Sequence, residues 1–181
     1  DLPTRWLSAA RTNAVTVMLG GDNRRYAITP EMTGHMGEQL ALLARSTRSK
    51  LMLIPSRRTP GGLIDSITAA LPDGSVLTPA EDEPNVYPGV LGLGQAVIVT
   101  SDSVNMASEA AITGKPVLVI GWKPPAKDSQ TGESGRIASF HKNMVAGGYT
   151  AIFDGSIPSG NFVRLDEMAD MTTRLLTLLG R

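Results

Sequence analysis

Three short stretches carry residue types that could do chemistry, and each follows an apolar run. Gly20-Gly21-Asp22-Asn23 follows Ala14 to Leu19, Ser56-Arg57-Arg58-Thr59 follows Lys50 to Ile54 after Pro55, and Thr100-Ser101-Asp102-Ser103 follows Ala96 to Val99. Glycines let backbone N–H groups approach an oxyanion, and Asn23 can add a donor. The same four residues also suit a tight strand-to-helix turn, and they match neither G-x-G-x-x-G nor a Walker A loop. Arg24 and Arg25 place more positive charge beside them, or are simply solvated. The guanidinium groups of Arg57 and Arg58 suit a phosphate or the face of a base, and equally an open surface. Ser101 and Ser103 belong to a hydroxyl-rich turn at a helix N-terminus, which carries roughly half a positive charge.

Within that helix, Ser108 offers a hydroxyl and Glu109 a carboxylate able to accept two hydrogen bonds from a ribose. An exposed helix glutamate is the plain alternative. The search for a reacting group gives less. His35 lies between Met32 and Met36, and His141 follows Phe140; neither has histidine or carboxylate neighbours at metal-ligand spacing, so both are read as structural. Glu81-Asp82-Glu83 reads as a solvated loop, and no G-x-S-x-G elbow occurs. The chain supplies no self-sufficient catalytic set, and no metal site is expected.

The elements that must position these turns follow from apolar period. The stretch from Ala96 to Gly121 organises the rest: a buried parallel strand, a polar turn, a helix from Val104 to Thr113 capped by Ser103 or Asp102 with Val104, Ala107 and Ala111 inward, a Gly114 stop and a second strand from Pro116 to Ile120. Thr29-Pro30-Glu31 starts an earlier helix whose core face is Met32, Met36, Leu40 and Leu43. Thr59-Pro60 repeats the device ahead of Ile64, Ile67 and Leu71. Ser75 to Leu77 is a short strand, and Tyr87-Pro88-Gly89 opens a short helix. Residues 122–135 form a long aperiodic loop. Gly135 to Gly147 is a helix with Ile137, Phe140 and Met144 inward, Tyr149 to Phe153 a strand, and Leu165 to Leu179 a terminal helix. This order predicts an α/β fold with a doubly wound, mostly parallel Rossmann-like sheet, whose ligand crevice lies outside the carboxyl ends of the strands.

Length and composition narrow the classes. The 181 residues fit a lead-in at 1–13, with Trp6 ready to dock, and one domain at 14–181. Seventeen basic and 17 acidic side chains cancel, so no whole-domain field argues for nucleic acid or an anionic membrane. The chain has no cysteine, which excludes disulfides and thiolate chemistry and suits the cytoplasm. No apolar run approaches the roughly 20 residues of a membrane span. The first residue is Asp1, so a processed or excised piece is expected, with partner residues on chain that is missing.

Three separated segments, VTVMLGGDNRRYAITPE, YPG with LGLGQAVIVTSDSVNMASEAAITGKPV, and GRIASFH, resemble the mitochondrial-fission protein family named for plants with elongated mitochondria. Some bacterial relatives carry the label nucleoside-diphosphate-sugar epimerase. The family looks like the GT-B glycosyltransferases, two Rossmann-like domains around a cleft, which makes this chain the carboxyl-terminal, donor-nucleotide half. The resemblance implies that Gly20 and Gly21 face the donor pyrophosphate, that Ser101 to Ser103 and Asn105 form the phosphate-side turn, that Glu109 holds the ribose, and that Arg57 lies near the base or phosphate. The loop departs from the GGSxG of lipid-linked GlcNAc transferases by reading GGDN. Two functions follow as expectations. One is the donor-binding half of a metal-independent glycosyltransferase or sugar-nucleotide epimerase, with the nucleotide-sugar as substrate rather than cofactor and the acceptor base on the amino-terminal domain. The other is a non-catalytic adaptor that recruits a protein partner, as plant members recruit a dynamin-related GTPase, and that meets a membrane only peripherally.

Overall fold

The computed structural model describes residues 2–21, 28–83, 85–121 and 132–166. Within them the chain runs α1 (Thr4–Ala10), β1 (Ala14–Leu19), α2 (Pro30–Thr47), β2 (Lys50–Pro55), α3 (Leu63–Thr68), β3 (Val76–Leu77), α4 (Tyr87–Leu93), β4 (Ala96–Thr100), α5 (Val104–Ile112), β5 (Val117–Ile120), α6 (Gly132–Ala146) and β6 (Ala151–Ile152). The six strands form one sheet, parallel as the alternation of apolar runs and helices predicts, in the order β3-β2-β1-β4-β5-β6. Register is set by pairs such as Leu19 with Pro55, Met18 with Val99 and Val99 with Val119.

Every residue of β1 and β4 is buried, because helices cover both faces of the sheet. One face carries Val15, Val17, Leu19, Leu51, Leu53 and Ile98 against Met36, Leu40 and Leu43 of α2 and Ile67 of α3. On the other face, Met18, Val97 and Val99 meet Met106, Ala107 and Ala110 of α5. Met52 and Ile54 meet Trp6 of α1 and Val90 of α4. Trp6 is fully buried, and its indole N–H lies 3.3 Å from both oxygens of Glu83, whose carboxylate also pairs with Arg5.

The helix starts follow from their caps, with one correction. Thr29 accepts from the Met32 N–H at 3.3 Å and Ser103 from the Met106 N–H at 3.4 Å, so both cap as expected. Thr59 does not. Helix α3 begins three residues later, behind Gly62 at φ 79°, because the Thr59 hydroxyl is turned back to the end of β1. Two expected strands contract, to Val76–Leu77 and Ala151–Ile152, and α6 starts at Gly132. Asp22, Asn23, Arg24, Arg25, most of the 122–135 loop and all but Leu165 and Asp166 of the expected terminal helix lie outside the described residues.

Candidate functional site

Strands β2, β1 and β4 are parallel neighbours, so their carboxyl ends at Pro55, Leu19 and Thr100 open on one edge. The three turns that leave this edge are bonded to one another. The Ser56 N–H donates to the Leu19 carbonyl at 2.9 Å, and the Thr59 hydroxyl lies 2.8 Å from the carbonyls of both Leu19 and Gly20. The Gly20 N–H donates to the Thr100 hydroxyl at 2.7 Å, and that hydroxyl donates to Asp102 at 2.7 Å. The Gly21 N–H reaches the other oxygen of Asp102 at 3.1 Å, where Arg58 also pairs at 3.1 Å. Asp102 is only 4% exposed.

This arrangement changes what the glycines do. A Cβ on Gly20 would sit 2.1 Å from a carboxylate oxygen of Asp102, and one on Gly21 would sit 1.7 Å from the Arg58 carbonyl. Both positions need glycine because two other turns press against them, and both N–H groups end on protein atoms rather than on open space. These two residues are packed as in a tight turn, and the Gly21 N–H meets the buried Asp102 carboxylate. Buried charge is tolerated only when paired and hydrogen-bonded, and Asp102 has both.

Beside this hub, a cleft of about 650 Å³ opens between the end of β2, the start of α4 and the exposed side of α5. Ser56 and Arg57 come from the second turn, Asn105 and Glu109 from α5, and Asn85 and Tyr87 from the start of α4, over a floor that includes Ile54 and Met106. The structure thus brings Arg57, Asn105 and Glu109 to one cavity. Gly20, Gly21, Ser101, Ser103 and Ser108 stand outside its lining. Tyr87 and Asn85 are the residues that sequence reasoning missed. Their signal was the Asn-x-Tyr-Pro start of α4, where the Asn85 carboxamide oxygen accepts from the Tyr87 N–H at 3.1 Å. The Tyr87 hydroxyl donates to Glu109 across the cleft. Partial burial, then the Glu109 carboxylate, raise the Tyr87 pKa well above the usual phenol value.

On the far side of the hub, the His141 ring packs edge-on to Phe140 with centroids 5.1 Å apart, and its Nε2–H donates to the Ser101 carbonyl at 2.9 Å. Burial lowers its pKa, opposed by that carbonyl and by the charge of Asp102. Its Nδ1 is buried with no hydrogen-bond partner among the described residues. His141 is thus a support of the 100–103 turn, whereas His35 is exposed. Among the described residues, no group of three or more histidine, aspartate or glutamate side chains is arranged to hold a metal ion.

Comparisons with known proteins agree with this architecture. The profile of the family described as "Mitochondrial fission ELM1" matches residues 2–179. The chain is 37% identical over 101 residues to the mitochondrial fission protein ELM1 of Arabidopsis thaliana, covering 51% of this chain and 21% of that protein. It is 32% identical over 121 residues to the uncharacterized protein RP120 of Rickettsia prowazekii, covering 60% of this chain and 31% of that one. The chain therefore spans about a third or less of these relatives. A candidate UDP-N-acetylglucosamine 2-epimerase from Listeria monocytogenes superposes over 100% of this chain and 40% of its own, with a TM-score of 0.57 and 16% identity, which shows a shared GT-B-like, Rossmann-like fold. This chain belongs to the mitochondrial fission ELM1 family.

Proposed function

Starting from that membership, we propose that the chain is the nucleotide-sugar-binding half of a GT-B-like protein, and that the cleft beside α5 takes the nucleotide. The observation that carries this reading is that one cation, Arg57, and one anion, Glu109, line a single cavity at the carboxyl edge of the sheet. A guanidinium binds a diphosphate through charge-assisted, fork-shaped hydrogen bonds, and the start of α5 adds a favourable dipole. Glu109 accepts the ribose hydroxyls. Tyr87 and Met106 supply apolar faces for the base, and the amides of Asn85 and Asn105 can bond to its edge.

In transfer or epimerisation, negative charge develops on the departing diphosphate. A fixed cation there stabilises the transition state more than the ground state. The nucleotide-sugar is then a substrate rather than a cofactor, and the residue that activates an acceptor lies on the amino-terminal domain. On this reading the chain works in the cytoplasm, and meets a membrane only through other parts of the protein. Among the described residues, no helix is long and apolar enough to cross one.

One observation favours a second reading, an adaptor that retains the fold and recruits a protein partner: the glycine amides are already satisfied by Thr100 and Asp102. Thermal-shift measurements with UDP, GDP, CDP, ADP and their sugars separate the two. A ligand at about a hundred times its dissociation constant adds roughly 2.7 kcal/mol of stability. A shift that disappears in Glu109→Ala and Arg57→Ala supports the nucleotide site. No shift with any of them favours the adaptor.

A further inference from the structure

Glu109 and Tyr87 reach the cleft from two separately anchored helices. Tyr87 stands at the first turn of α4, behind the buried Val86, and its ring touches the apolar clusters of both Met18 and Trp6. Glu109 projects from α5, which the buried Ala107, Ala110 and Ala111 fix to the fold, while Met106 one turn back lies in the cleft floor beside it. Only the ends of the two side chains meet, the phenol donating to one carboxylate oxygen. A carboxylate has two oxygens, and a vicinal diol held in bidentate fashion uses both. The phenol therefore occupies an acceptor that such a ligand needs.

We propose that Tyr87 is the specificity-determining gate of this cleft: a ribonucleotide must displace its hydroxyl from Glu109 to seat both ribose hydroxyls. This inference rests on the nucleotide reading above. Replacing one hydrogen bond to a charged acceptor by another is nearly balanced, so the diol gains from Glu109 mainly through its second hydroxyl. A 2′-deoxyribonucleotide lacks that second hydroxyl and can use the remaining oxygen, which has no partner among the described residues, so Tyr87 affects it less. Burial and the neighbouring carboxylate keep the phenol protonated, and hence a donor, through the neutral range.

Calorimetric titration of the chain with UDP, GDP, CDP, ADP and their 2′-deoxy counterparts tests the gate. Tyr87→Phe keeps the ring and removes only the hydroxyl. It is expected to bind the preferred ribonucleotide about tenfold tighter, with a clearly smaller gain for the deoxy form and no gain when Glu109→Ala is also present. If the unmodified chain binds a nucleotide but Tyr87→Phe leaves affinity unchanged or weakens it, the gate is overturned while the nucleotide site stands. If neither protein binds any nucleotide, the site itself is wrong and the gate falls with it. Binding by Tyr87→Phe alone supports both.

Discussion

Asp102 and Glu109 stand on either side of the start of α5, and the regions around them use the same functional group in opposite ways. Asp102 is buried and accepts from a hydroxyl, a backbone amide and an arginine, so its charge is spent on holding three turns together. Glu109 is exposed in a cavity and, among the described residues, accepts from one phenol. The difference teaches which part of the rim is scaffold and which part is free to change partners. A carboxylate saturated by the fold fixes geometry, whereas one held by a single side chain can exchange that partner for a ligand.

The contrast breaks most readily through stability. Asp102→Ala leaves the Gly21 amide, the Thr100 hydroxyl and Arg58 without their common acceptor, and is expected to lower unfolding free energy by about 3 kcal/mol in urea titrations. Equal losses in Asp102→Ala and Glu109→Ala would erase the distinction. Next in size is Gly20→Ala, whose Cβ would enter the space of the Asp102 carboxylate. Its expected cost is about 2 kcal/mol by the same titration.

A smaller effect should appear with pH. His141 is held neutral by burial, so its folded pKa lies below the unfolded one. The stability this adds is full above the ordinary histidine range and is lost as the pH falls through the folded value. His141→Gln should flatten the acid limb of a stability-against-pH curve, and an unchanged limb would remove His141 from the support of the turn. The smallest change in stability belongs to Glu109→Ala itself, within about 0.5 kcal/mol of the parent. Its signature is spectroscopic: the late tyrosine ionisation followed by ultraviolet absorbance should move part of the way to lower pH, because burial still raises Tyr87 but the carboxylate that adds to it is gone.

Much of the fold was legible because β1, β2, β4 and β5 are short, nearly continuous runs of apolar residues, and α2 and α5 carry polar caps at their starts. These are local signals. The convergence of the three turns was legible too, since parallel neighbours must end on one edge. What the glycines bind was not. Gly20 and Gly21 read either as donors to a ligand or as a tight turn, and nothing local shows that their N–H groups reach Thr100 and Asp102, some eighty positions away in sequence. Thr59-Pro60 misled for the same reason: a local cap signal lost to a carbonyl on a neighbouring strand. The contact of Tyr87 with Glu109 has no sequence signature, because it depends on how far α4 and α5 lean toward each other over the sheet.

One early feature bears on how this protein is handled. The lead-in ahead of β1 docks through Trp6, which fills the cluster where Met52, Ile54 and Val90 depend on it for shelter. Trimming those opening residues to tidy an expression clone would uncover a greasy floor directly beneath the cleft wall. The trimmed protein would then clump in solution, and a lost ligand signal in it would report a damaged foundation rather than an empty site.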